Sequence, residues 1–245
     1  MKIRDVLLNV KILANENNLS EPFIVGGLPR DKVLKRSRMV DDVDITTGDD
    51  TIQQLAILTS QKYKAYPVNF PDGHYQVAIG QVRFDFSSNY RSPDVEYFLE
   101  RAGVKNPTPM QLELFSRDFT CNTLTIAMNL RVIEDQTGLG LNDINKKILR
   151  TPLPPRITLR DDPRRVIRAI YLAAKLGFTI EEDIIEWAKS NPDRIKEKVK
   201  PGFSRNKLLS AFRYNSKNTL NYITSMNLWD VVIIPKDLLP YRVSR

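Results

Sequence analysis

The stretch MVDDVDITTGDD, residues 39–50, constrains the fold more than any other part of the chain. Asp42 and Asp44 alternate there with Val43 and Ile45, an order of side chains that suits a strand with one apolar face buried. On such a strand the two carboxylates share one face, the aliphatic pair shares the other, and Asp41 faces away from the acids. Asp49 and Asp50 follow a glycine and read as caps for the next helix. The pair Asp42 and Asp44 has two readings: a polar edge strand beside a solvated loop, or ligands aimed at a cation. Two neighbouring carboxylates raise each other's pKa unless a cation sits between them, and hard oxygens at this spacing suit Mg²⁺.

The preceding text favours the second reading. FIVGGLPRD delivers a short strand, a Gly26–Gly27 turn whose backbone N–H groups can approach a triphosphate, and a helix start bearing Arg30. Pro29 falls in the first turn of that helix, where its missing N–H is tolerated. HYQVAIG and QVRFDFSS alternate as two strands around Gly80 and Gln81, a hairpin candidate, and place Asp85 on one face with Arg83 and Ser87 as a third carboxylate. Residues 1–18 and the segment DDTIQQLAILTSQ read as helices, and NYRSPDVEYFLERAG as a loop. Helical periodicity then dominates over 115–128, 161–176, 181–189, 204–213 and 216–226, with RTPLPPRITLR as a connector. An α/β half is therefore followed by an all-helical half.

Composition narrows the partners and cofactors. The lone Cys121 and lone His74 exclude an internal disulfide and a zinc site of the usual kind, so a catalytic metal must sit on oxygen. No apolar run reaches the roughly 18 to 20 residues of a membrane span, and the N-terminus lacks a signal peptide's apolar centre, so a soluble, cytoplasmic protein is expected. The formal charge is +8, yet residues 1–140 carry 16 basic against 18 acidic side chains and residues 141–245 carry 21 against 11. Basic charge clustered in this way favours a polyanion such as nucleic acid. The Lys and Arg residues of NPDRIKEKVKPGFSRNK are candidates for RNA phosphates, or for an ordinary solvated helix face.

Five segments in order over residues 23–178 resemble the class II tRNA nucleotidyltransferase and bacterial poly(A) polymerase family. They are FIVGGLPRD…DDVDITT, GHYQVAIGQVRFDFSSNYR, SRDFTCNTL, DQTGLGLNDINKKILRT and RDDPRRVIRAIYLAAKLGF. The resemblance implies an α+β fold, a polymerase-β-like nucleotidyltransferase head with a mixed sheet over 1–137 and an all-α neck over 138–245. It implies attack by an RNA 3′-hydroxyl, at a tRNA 3′ end, on the α-phosphate of CTP or ATP, with release of pyrophosphate. Asp42 and Asp44 would hold two Mg²⁺ ions, and Asp85 would join them as the third catalytic carboxylate. Gly26, Gly27 and Arg30 match phosphate-side positions, and Arg117, Asp118 and Asn122 match the segment that holds sugar and phosphates.

In the matching helix DDPRRVIRA, Asp162 and Arg165 stand three apart and would share one face. A carboxylate beside a guanidinium complements the amino donor and ring-nitrogen acceptor of cytosine and adenine, whereas uracil and guanine present a carbonyl to the carboxylate. Arg168 extends that face. The chain departs from the family at Pro29, at Ser116 and at Asp161, and stops where typical members continue into body and tail domains. The grip on RNA is then expected to come from the basic neck, from a second subunit or from a partner. The competing expectations are an A-only-adding enzyme or poly(A) polymerase, and a non-catalytic RNA-binding relative.

Overall fold

The computed structural model describes residues 2–36, 40–71, 73–88 and 93–230; Met39 of the acidic stretch and residues 89–92 of the expected loop lie outside them. The chain divides between Lys146 and Lys147 into two compact units.

The first unit begins with helix α1 (Ile3–Glu16), strand β1 (Phe23–Val25), helix α2 (Gly27–Val33), strand β2 (Asp42–Thr46) and helix α3 (Thr51–Tyr63). Strands β3 (Pro67–Asn69), β4 (Tyr75–Ile79) and β5 (Val82–Phe86) follow, then helices α4 (Pro93–Arg101) and α5 (Pro109–Phe115). A single 3-10 turn at Thr120–Asn122 leads to β6 (Thr125–Ala127), β7 (Ile133–Glu134) and helix α6 (Gly140–Lys146). The strands form one mixed sheet in the order β3-β4-β5-β2-β1-β6-β7, in which β2 and β5 run parallel and the other neighbours antiparallel.

Alternation on β2 and β5 builds the core. Val43, Ile45, Phe84 and Phe86 have no exposed surface and cluster with Val6, Leu7 and Val10 of α1 and Ile52 and Leu55 of α3. Each such side chain contributes roughly 1.5–3 kcal/mol of burial, so the apolar face of the sheet is fixed against those helices and the acidic face turns the other way. The expected hairpin is present: Ile79 pairs with Val82 across Gly80 and Gln81. Asp49, two residues before Thr51, caps α3, its Oδ1 accepting from Thr51 N at 3.1 Å, whereas Asp50 makes no side-chain cap.

The second unit contains strand β8 (Ile148–Leu149), helices α7 (Pro155–Asp161) and α8 (Arg164–Leu176), strand β9 (Thr179–Ile180), and helices α9 (Glu182–Ser190), α10 (Pro192–Lys198) and α11 (Pro201–Ser225). It is helical apart from the short parallel β8–β9 pair. Helices α8 and α11 pack on each other and bury Ile167, Ala211 and Ile223 completely. Among the described residues no helix is long and apolar enough to cross a membrane.

Five expectations need correction. The helix over 115–128 is absent: Phe119 is extended, and in β6 the β-branched Ile126 pairs with Ile24 of β1 and Thr125 with Glu134 of β7. The loop after residue 92 is helical as α4, and Pro155 of the expected connector opens α7, a position where proline is at home. The helix over 161–176 is two, because Pro163 disfavours the α region for the residue before it and Asp162 takes φ −139°, ψ 87°. The break between 213 and 216 survives only as a kink inside α11 at Asn215, with φ −159° and ψ 93°.

Gly140, at the start of α6, tests the packing of this region. A Cβ there would lie 2.7 Å from the carbonyl oxygen of Thr120 and 2.9 Å from Leu124 Cδ2, while one on Gly202 would meet nothing within 4 Å. Urea unfolding should show Gly140→Ala destabilised by about 1–3 kcal/mol, and Gly202→Ala neutral or stabilised by up to about 1 kcal/mol.

Candidate active site

The parallel pairing of β2 with β5 sets Asp44 directly opposite Asp85 and Asp42 opposite Arg83. One carboxylate oxygen from each of Asp42, Asp44 and Asp85 lies within 4.8 Å of the others, and all three side chains are half-buried. The sequence-derived triad is thus brought together. Asp42 Oδ1 is shielded from water without a hydrogen-bond partner; Arg83 Nε stands 3.9 Å away, beyond hydrogen-bonding distance. Burial, followed by the charges of Asp42 and Asp44, pushes the Asp85 carboxyl up to about 6, against a hydrogen bond from Gln76 that favours the ionised form. Three converging acids with an unsatisfied oxygen and a raised pKa form a donor set that fits a hard divalent cation.

Gly26 closes one side of this cluster. It follows Val25, the β1 partner of Asp44, and turns into α2 at φ 76°. A Cβ built on it would lie 2.4 Å from Asp44 Oδ2 and 3.5 Å from Arg117 NH1, so only glycine fits between the carboxylate and the guanidinium. Gly27 is the first residue of α2.

The remaining expected residues of the first unit form a buried polar network. Arg30 is 4% exposed; its Nε donates to Asp31 Oδ1 at 2.9 Å and its NH1 to Asn122 Oδ1 at 2.6 Å. Asn122 in turn donates to Asp118 Oδ1 at 2.9 Å, which also accepts from the backbone N–H of Phe119. Arg117 is held by Glu113 one helical turn earlier, at 2.9 Å. Arg30 therefore faces protein oxygens and ties α2 to the 3-10 turn. Cys121, beside this network, is buried and pushed up to about 12 by desolvation, which leaves it an inert thiol.

In the second unit Asp162 precedes α8 and does not share a helical face with Arg165. Its carboxylate accepts from Arg164 Nε at 2.7 Å and NH2 at 3.0 Å, and from the Arg164 backbone N–H at 3.1 Å. Arg165 Nε is 3.9 Å from Asp162 Oδ2, and its NH1 donates to the carbonyl of Thr158. Arg168 is half-buried on α8.

Sequence reasoning missed Gln76, whose Nε2 donates to Asp85 Oδ1 at 2.8 Å from the cross-strand position. The hairpin register contained the signal: a two-residue loop pairing 79 with 82 necessarily pairs 76 with 85. It also missed Glu113, which lies four residues before Arg117, the spacing of a helical ion pair.

With this geometry in view, the likeness to known proteins becomes interpretable. The poly(A) polymerase head domain matches residues 22–150, more than half of the chain and all of the first-unit site. The chain belongs to this family. A tRNA nucleotidyltransferase of Schizosaccharomyces pombe is 28% identical over 256 residues, covering 97% of this chain and 51% of the relative. An A-adding tRNA nucleotidyltransferase of Geobacter sulfurreducens is 28% identical, covering 74% of this chain and 19% of the relative. Among solved structures, a tRNA nucleotidyltransferase complexed with a primer tRNA and an incoming ATP analogue superposes with a TM-score of 0.69 at 27% identity, covering 91% of this chain and 62% of that one. The chain thus spans about half, or less, of the length of these curated relatives. Asp42, Asp44 and Asp85 all lie within the matched residues.

The raised pKa of Asp85 gives a signed pH dependence. Its folded value of about 6 lies above the ordinary 3.8. The folded state therefore holds a proton that the unfolded chain releases, and this contribution is complete at low pH and lost as pH rises through about 6. Metal-free protein should lose thermal stability between about pH 4 and pH 6 and then level off. A divalent cation should restore stability above that range, and its apparent affinity should fall up to about tenfold per pH unit below about 6, because the proton competes for the site. Thermal scans against pH with Mg²⁺ or EDTA, and calorimetric titration of Mg²⁺, measure both.

Proposed function

We propose that the chain carries the catalytic head of a template-independent RNA 3′-terminal nucleotidyltransferase, which adds C and A from CTP and ATP to tRNA 3′ ends. The convergence of Asp42, Asp44 and Asp85 on two parallel strands carries this reading. Asp42 and Asp44 would hold two Mg²⁺ ions. When bound, these would lower the pKa of the attacking hydroxyl and neutralise charge on the triphosphate and its leaving group.

The chain's own residues supply the rest. The 3′-oxygen forms a bond to the α-phosphorus, the bond from that phosphorus to the bridging oxygen of pyrophosphate breaks, and the hydroxyl proton passes to Asp85, whose carboxyl burial raises to about 6. The backbone at Gly26 and Gly27 approaches the phosphates where a Cβ would obstruct it. Arg117, Asp118 and Asn122 hold the sugar and phosphates, with Glu113 fixing Arg117, and Arg30 acts on the phosphate side through Asn122. A carboxylate offers about four acceptor sites, and Arg164 occupies three at Asp162. Asp162 with Arg165 can therefore still read the amino edge of C or A, and Arg168 lies next on the same helix.

The likeness to an A-adding enzyme favours one second reading, addition of A alone. It is separated by offering labelled CTP and ATP singly and together to the purified chain with Mg²⁺ and tRNA lacking its 3′ terminus. Both nucleotides should enter; entry of ATP alone selects the second reading, and entry of neither overturns the enzyme. Asp42→Ala should reduce transfer by at least about a thousandfold while RNA binding stays unchanged or tightens slightly. Arg165→Ala should narrow the preference for C and A over U and G by roughly 5- to 100-fold, read as a ratio of kcat/KM values.

A further inference from the structure

The corner between α7 and α8 carries Asp162, and three arginines hold it. Because Asp162 leaves the helical region at φ −139° and ψ 87°, the last carbonyls of α7 lose their regular donors. In an unbroken helix the Arg160 carbonyl would accept from the Arg164 N–H; here that N–H donates to Asp162 Oδ1 at 3.1 Å. Arg194 of α10 serves the Arg160 carbonyl, donating to it from Nε at 3.2 Å and from NH2 at 3.1 Å. Arg165 NH1 likewise donates to the Thr158 carbonyl, at 3.3 Å. Basic side chains are suited to this place, where they complete the hydrogen bonding of the final carbonyls and meet the negative end of the helix.

Arg164 and Arg165 follow Asp162 closely in the chain, so their bonds set the internal shape of the corner. Arg194 lies 34 residues beyond Arg160 and reaches it from another helix, so its bonds fix where the corner stands within the second unit. The backbone from which it reaches is anchored, since the next residue, Ile195, has no exposed surface. The Arg160 side chain in turn donates to Asp161 Oδ1 from Nε and NH2, at 3.2 Å each, so the residue that Arg194 holds also orients the acid beside Asp162. A carboxylate reads a base amino group only within about 2.7–3.2 Å, and a displacement of about 1 Å loses most of such a contact. We propose that Arg194 is a positioning residue for nucleotide selection: by capping α7 at the Arg160 carbonyl, it holds the Asp162 carboxylate at the place from which, with Arg165, it reads the base. The role rests on the reading of Asp162 and Arg165 as the base-selecting pair, and it requires no contact between Arg194 and the nucleotide.

The experiment compares kcat/KM for CTP, ATP, UTP and GTP, each offered singly with Mg²⁺ and tRNA lacking its 3′ terminus. Arg194→Ala should narrow the preference for C and A over U and G by roughly threefold to tenfold, because it displaces the reading group without removing it. Arg194→Lys, which keeps a cationic donor, should recover most of the lost preference. Lys196→Ala, which removes another cation of α10, should leave the preference at its wild-type value. The preference is a ratio, so a loss of folded protein or of tRNA affinity lowers all four values together and cancels. Where A alone enters, the ratio of ATP to GTP is read in the same way. An unchanged preference in Arg194→Ala, or an equal change in Lys196→Ala, overturns the role of Arg194. A wild type that incorporates no nucleotide overturns the transferase reading and this role with it. A wild-type preference that Arg165→Ala loses and Arg194→Ala keeps overturns the role of Arg194 alone.

Discussion

The side-by-side parallel pairing of β2 and β5 is the constraint on which the first unit depends. It brings three carboxylates within 4.8 Å, where each ionised pair repels by on the order of 3 kcal/mol at an effective dielectric of about 20. Nothing on the acidic face relieves that repulsion completely. The structure tolerates it because the other face of the same strands carries Val43, Ile45, Phe84 and Phe86 with no exposed surface, which anchors the strands against α1 and α3. Without a cation, a proton on Asp85, the hydrogen bond from Gln76 and the nearby Arg83 guanidinium each relieve part of it. Burial on one side thus sustains a charge imbalance on the other that a divalent cation would resolve.

Gly26 shows how closely the surrounding backbone is fitted to that imbalance. Because β1 pairs Val25 with Asp44, the residue that follows must turn within reach of the carboxylate. The turn at φ 76° and the 2.4 Å separation of a hypothetical Cβ from Asp44 Oδ2 are two consequences of this one register. Arg117 approaches the same point from α5's side, held by Glu113, so a cationic group borders the acids without forming part of the triad. The Arg30–Asn122–Asp118 chain braces α2 against the 3-10 turn; removing one partner of such a buried network typically costs about 3–5 kcal/mol.

Where one residue pattern determined one outcome, the sequence was legible. Alternation on VDDVDITT and VRFDFSS placed Asp42, Asp44 and Asp85 on one sheet face, and the two-residue loop at Gly80 and Gln81 fixed the β4–β5 register. Residues 115–128 misled because their apolar spacing also fits a helix, while the β-branched Thr125 and Ile126 and the pairing offered by β1 decide for a strand. Asp162 misled for a local reason: counting three residues to Arg165 assumes a helix that Pro163 does not allow to begin there. The Arg30 contact was not legible for a tertiary reason, since its partner Asn122 lies 92 residues away and no spacing rule reaches that far. Local geometry was readable; long-range partner choice was not.

The charge distribution then acquires a physical meaning. An acidic cluster cannot draw a polyanion to itself, and the first 140 residues carry more acidic than basic side chains. For the RNA substrate proposed above, attraction would have to come from other surfaces. Helices α8 and α11 carry eight basic residues and no acidic ones. A pair of helices so charged would be disfavoured by self-repulsion unless packing compensated, and the burial of Val166, Ile167, Ile170, Leu208 and Ala211 provides the compensation. In both units an apolar interior fixes the elements in place: in the first it holds three carboxylates side by side, and in the second it holds two helices rich in basic residues.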